Sequence, residues 1–141
     1  MQLTTDQRQH IIDYVSEHCQ AIVIILLGSA ARGEMRADSD VDIAYIADPT
    51  SAMLTTYRRF RIAQQLAQEI GRDVDLIEFE QSSTVFQLQI ATTGQIMYEI
   101  NPMPRQLAWL GAYRDYALLG DARKPVLLAI QQGGTSAMNR D

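Results

Sequence analysis

Cysteine is almost missing from this sequence, and so is lysine: Cys19 and Lys124 are the sole examples of each in 141 residues. A lone cysteine excludes an internal disulfide framework and fits a reducing compartment. Long apolar runs are also missing. The longest, "AIVIILL" at 21–27, is too short to span a bilayer, and no signal peptide pattern is evident. There is little positive charge to spare. Seventeen acidic residues outnumber twelve basic ones, giving −5 and a pI near 4.9, which argues against a broad basic face for nucleic acid. These absences predict a cytoplasmic protein with no membrane anchor and no stable nucleic-acid partner.

What is present suits one domain with a single core: 47% hydrophobic and 21% charged residues, with no internal repeat or linker. Thr4 followed by Gln7 forms a capping-box pattern, and Ile11, Ile12, Val15 and Cys19 recur at helical spacing. A helix over about 5–19 follows. "AIVIILL" is continuously apolar and β-branched, as expected of a strand covered on both faces. Gly28-Ser29 then opens a short helical or irregular segment, and "DVDIAYIA" reads as a second strand. Residues 52–70 read as a helix with Met53, Tyr57, Phe60, Ala63, Ala67 and Ile70 on its apolar stripe and Gly71 as its stop. "DVDLIEF" is a third strand, Ser83 caps a short helix, "QIMYEI" is a fourth strand, and Pro102 and Pro104 lead into a helix over about 105–119. The fold class is therefore α/β (α+β), a small central sheet of about four strands flanked by helices. Residues 1–120 form the domain, and 121–141 are expected to be a tail, partly disordered or docking on a partner.

The pattern has one internal contradiction: aspartates interrupt apolar strands. Residues i and i+2 of a strand share a face, so Asp40 and Asp42 are expected to project together while Val41, Ile43 and Tyr45 enter the core. Two neighbouring carboxylates repel unless a cation lies between them or one holds a proton. A hard cation such as Mg²⁺ suits such a pair when phosphate oxygens complete its shell. Asp75 interrupts the third strand in the same way, and pairing of the two strands would bring it to Asp40 and Asp42. Three carboxylates around two metal ions make an apparatus for in-line displacement at phosphorus. Taken singly, each aspartate also reads as a strand-end charge in water. The Gly28-Ser29 turn adds a second signal, because backbone amides, a helix start and a hydroxyl together favour an anion. It is neither a Walker A loop nor GxGxxG.

Gly28-Ser29, ten residues, Asp40-Val41-Asp42, and Asp75 on the next strand together resemble the signature of the DNA polymerase β-like nucleotidyltransferase superfamily. "GSAARGEMRADSDVDIAY" is similar to its minimal nucleotidyltransferase (MNT) branch, over about residues 20–100. The resemblance implies the mixed sheet of that fold, with Ser29 on the triphosphate, Asp40 and Asp42 binding two Mg²⁺ ions, and Asp75 completing the metal site and helping to activate an acceptor hydroxyl. Asp73 competes locally with Asp75. Arg32 could reach a phosphate or stand as a solvated charge. Arg36 and Asp38 read as loop surface, and His10, His18 and Cys19 as solvated helix residues without zinc spacing. MNT domains are commonly antitoxins of HEPN-domain RNase toxins. The resemblance thus implies transfer of AMP from ATP to a tyrosine hydroxyl of a HEPN partner, in one or several units. Transfer to a small hydroxylated molecule such as an aminoglycoside, or non-catalytic toxin binding, are the alternatives.

Overall fold

A computed structural model describes residues 2–119. The proposed tail and its boundary at Gly120 lie outside the described residues. The chain runs α1 (Thr5–Cys19), β1 (Ala21–Leu27), α2 (Gly28–Arg32), β2 (Val41–Ala47), α3 (Thr56–Ile70), β3 (Val74–Glu78), a 3₁₀ turn (Phe79–Gln81), α4 (Thr84–Thr93), β4 (Gln95–Glu99) and α5 (Pro102–Leu118).

Capping side chains fix the helix starts. Thr4 and Gln7 exchange both bonds of a capping box, Thr55 accepts from Arg58 N, Ser83 from Phe86 N, and Asn101 from Met103 N. Two helices start elsewhere than the sequence suggested. The third begins at Thr56 rather than 52, because Thr55 supplies the cap. The last begins at Pro102, since proline is tolerated in a first turn whose N–H groups have no intrahelical partner.

The sheet order is β3-β2-β1-β4, with β1 antiparallel to both neighbours and β2 parallel to β3. This is the mixed four-stranded sheet flanked by helices that the resemblance implied. Against one face pack Ile11, Val15 and Cys19 of α1 and Ile62, Leu66 and Ile70 of α3; Ile24, Leu26, Val41, Ile43 and Tyr45 meet them from the sheet. The other face carries Val23, Ile25, Leu27, Ala44 and Ile46 under Phe79, Phe86, Ile90 and Ala112. Because β1 is central and covered on both sides, its continuous apolar run is explained. Gly94 admits no side chain at the β4 entry: a Cβ there would lie 2.5 Å from Ile25 Cγ2 and 2.7 Å from the Ile90 carbonyl.

The expected stripe of α3 needs correction. Ile62, Ala63, Leu66 and Ile70 are buried, whereas Met53, Tyr57 and Phe60 are exposed. Two stripes one residue apart compete on this helix, and the aliphatic one wins the core. Cys19 is likewise buried rather than solvated, and desolvation pushes its thiol up to about 12. His10 pairs with Glu69, and His18 stacks on Tyr14 with ring centroids 4.1 Å apart.

Candidate active site

The site is assembled where β1 ends and β2 and β3 begin. Parallel pairing sets Val41 against Val74 and Asp42 against Asp75, so these two aspartates are direct neighbours across the ladder. Val41, Ile43 and Tyr45 pack toward α1 and α3, which puts Asp42 on the opposite side with Ala44 and Ile46. Asp42 is a buried carboxylate, 9% exposed, on a central strand. A buried charge needs compensation, and Asp42 and Asp75 both have polar or electrostatic partners in the fold.

The turn after β1 abuts this pair. Leu27 is the register partner of Asp42, and Gly28 follows with φ +62°. A Cβ on Gly28 would lie 3.1 Å from Asp42 Oδ2. Glycine is therefore required twice, for the left-handed backbone and for the approach to the carboxylate. Gly28 begins α2, and Ser29 stands in its first turn, where amides lack intrahelical acceptors. Glu34 N returns to the Ser29 carbonyl at 2.9 Å and fastens the turn from below.

Asp40 lies just before β2 and is exposed. The i, i+2 relation of a strand therefore does not govern it, and the expected three-way convergence is divided. Asp42 and Asp75 adjoin across the strands. Asp40 and Asp75 line a common cavity of about 290 Å³ at the outer edge of β3, together with Asp73. Among the described residues, no three His, Cys, Asp or Glu side chains stand together as a metal cage. The donor chemistry nonetheless fits Mg²⁺, which takes one or two carboxylates and fills its remaining positions with water and substrate phosphates. Arg32 Nε donates to Glu34 Oε1 at 2.6 Å on the exposed surface.

Several supporting residues escaped the sequence reading. Arg72 Nη1 donates to the Arg36 and Ser39 carbonyls at 2.8 and 3.3 Å, and Arg36 N donates to Ser39 Oγ at 2.7 Å. Met35 anchors the same loop in the core, and Val41 N donates to the Asp73 carbonyl at 2.8 Å. Together they hold the segment that carries Asp40. Thr56, Arg59 and Phe60 of α3 form the wall of the cavity facing β3. The signal for them was the exposed half of α3's two stripes, legible only once the other half was known to be core.

Comparison with known proteins bears on the family and the fold. Residues 9–103 match the family described as Polymerase beta, Nucleotidyltransferase. The protein adenylyltransferase MntA of Shewanella oneidensis strain MR-1 is 37% identical over 76 residues, covering 54% of this chain and 52% of that protein. The match thus spans about half the length of that curated relative. Among solved structures, a toxin–antitoxin crystallised with AMP-PNP is similar at 26% identity and a TM-score of 0.75, covering 88% of this chain and 98% of that one. A complex of tri-AMPylated Shewanella oneidensis HEPN toxin with an MNT antitoxin is similar at 25% identity and a TM-score of 0.69, covering 89% and 96%. With the Gly-Ser turn and the aspartates of both strands inside the matched span, the chain belongs to the polymerase beta nucleotidyltransferase family.

Proposed function

We propose that this chain is an antitoxin that transfers AMP from ATP to a tyrosine hydroxyl of a partner HEPN-type RNase toxin and so silences it. The observation that carries the reading is the in-register pair Asp42–Asp75 beside the Gly28-Ser29 turn, within a matched nucleotidyltransferase family. The name of the MntA relative and the neighbouring complex with a tri-AMPylated toxin support the choice of acceptor. The AMP-PNP complex supports ATP as donor.

The Ser29 hydroxyl and the amides at the start of α2 hold the triphosphate. Asp40 and Asp42, with Asp75, would hold two Mg²⁺ ions, which supply charge neutralisation on the triphosphate and the departing pyrophosphate when bound. Asp75 also orients the tyrosine hydroxyl and draws its proton. The phenolic oxygen then bonds to the α-phosphorus as the bond to the β-phosphate bridging oxygen breaks, and pyrophosphate leaves. The rigid strands supply the positioning, which such a reaction chiefly requires. A site that ends in an open cavity does little to exclude the ribose 3′-hydroxyl of the first AMP as the next acceptor. Short runs of AMP follow from that. A chain with one buried thiol suits the reducing cytoplasm as the place of this reaction.

The test is the RNase activity of a HEPN-type partner, measured after incubation with this chain. Activity should fall only with both ATP and Mg²⁺ present, and should survive incubation with Asp42→Asn. Equal loss of RNase activity without ATP would make the chain a steric inhibitor and overturn the reading.

A further inference from the structure

Among the described residues β3 is an edge strand of the sheet, beside the cavity lined by Asp40 and Asp75. Peptide groups alternate in direction along a strand. Since Val41 N donates to the Asp73 carbonyl, residues 73, 75 and 77 turn their backbone groups toward β2, and Val74 and Leu76 turn theirs outward. The opposite wall is α3, where Thr56, Arg59, Phe60 and Ala63 follow helical spacing and line the same cavity. The result is a trough with an open hydrogen-bonding edge on one side and a mixed aromatic and cationic helix face on the other. Asp40, Asp73 and Asp75 also line it.

We infer that the acceptor enters this trough as an extended segment of the partner protein, laid along the outer edge of β3 as an added strand, with its hydroxyl-bearing side chain delivered to Asp40 and Asp75. The inference rests on the proposed transfer of AMP to a protein and names how that acceptor is held. Three observations favour this occupant. The Gly28-Ser29 turn, where the proposed function puts the triphosphate, lies against Asp42 and on the other side of the ladder from the β3 edge. An open backbone edge offers alternating donors and acceptors, which a peptide strand matches and a sugar or aminoglycoside does not. A volume of about 290 Å³ has room for a side chain or two beside a strand. Phe60, 57% exposed, is then the contact that an acceptor side chain covers. Edge strands are ordinarily guarded by charge, and Asp75 on β3 with Asp73 just before it keep this one from pairing indiscriminately.

The experiment uses the full chain with a HEPN-type toxin as acceptor, and compares wild type with Phe60→Asp and Phe60→Tyr. Phe60 is exposed on α3 and outside the nucleotide turn, so the fold and ATP affinity should be unchanged in both, read by thermal melting and AMP-PNP titration. For Phe60→Asp we expect KM for the toxin to rise about tenfold or more with little change in KM for ATP, the effect of losing one buried aromatic contact. Phe60→Tyr should restore it. An unchanged toxin KM in Phe60→Asp would overturn the inference while leaving AMP transfer standing, and a rise in KM for ATP instead would assign the trough to nucleotide. Absence of any transfer by wild type would overturn the reading on which the inference rests.

Discussion

Two stretches of this chain, Asp40-Val41-Asp42 and Asp73-Val74-Asp75, repeat the same residues 33 positions apart, and the fold lays them side by side. Valine faces valine and aspartate faces aspartate, yet the two strands live differently. β2 is central and buried nearly throughout, so Asp42 is a charge held inside the sheet. Among the described residues β3 is an edge, only partly covered, and Asp75 on it and Asp73 just before it meet a cavity. An identical motif thus supplies a fixed, buried carboxylate from one strand and an accessible one from the other. The proposed transfer would use both, the buried carboxylate toward metal and phosphate and the accessible one toward an incoming hydroxyl. The far ends of the strands make the reverse point. Tyr45 and Glu78 are register partners too, but there the pair is sealed, with Tyr45 Oη donating to Glu78 Oε1 at 3.4 Å.

Asp42→Asn should show the largest effect, since it removes charge at the buried member of the pair while keeping its shape. AMP transfer to the toxin, followed by labelled ATP, should fall on the order of a thousandfold. The metal-free protein should melt at the same temperature or slightly higher, because repulsion from Asp75 is relieved. A large drop in melting temperature would make Asp42 a structural residue instead.

Exchanging single members of the edge motif sharpens the comparison. Asp75→Asn should cost roughly a hundredfold in transfer rate, the range of a lost general base, and Asp73→Asn less than about threefold. Asp73 precedes β3 and its carbonyl already serves Val41. Equal losses in the two variants would mean that register with Asp42 is not what selects Asp75.

The turn comes next. Ser29→Ala should weaken ATP binding about tenfold, one charge-assisted hydrogen bond, and Gly28→Val should do worse. A valine there would be strained at φ +62° and would press on Asp42. Full ATP affinity in both variants would remove the turn from the nucleotide site.

At neutral pH the sealed end has the smallest effect, and it shows itself only in alkali. Burial raises the Cys19 thiol from 9.0 to about 12 and raises the Tyr45 hydroxyl as well. Both groups hold protons in the folded protein that the unfolded chain releases. That stabilising contribution is complete below about pH 9 for Cys19 and below about pH 10 for Tyr45, and is lost as pH climbs above those values, at about 1.4 kcal/mol per pH unit per proton. Melting temperature should be flat through neutrality and fall in that window, less steeply for Cys19→Val. An identical alkaline slope in that variant would show that Cys19 does not carry the loss.

Much of this was legible without coordinates. The four strands announce themselves by apolar runs, and the helix starts by Thr4, Ser83 and the glycine stop at 71. The residues Gly28, Ser29, Asp40, Asp42 and Asp75 stand out because each breaks the local rule of its element. What the sequence could not show were choices made between elements. Which stripe of α3 faces the core depends on what α1 and β2 present to it, so Phe60 looked like core and proved to be surface. Asp40 fell outside β2 because the strand starts only where Val41 finds the Asp73 carbonyl. Arg72 gives no sign in sequence that it will hold a loop 33 and 36 residues away.

The most direct measurement is the intact mass of the toxin after incubation with this chain, Mg²⁺ and ATP, in parallel with 3′-deoxy-ATP. The account predicts a ladder of masses spaced by single AMP units with ATP, and one AMP with the 3′-deoxy analogue, because each ribose 3′-hydroxyl becomes the next acceptor at an open site. A toxin of unchanged mass, under conditions where the chain binds ATP, would contradict it.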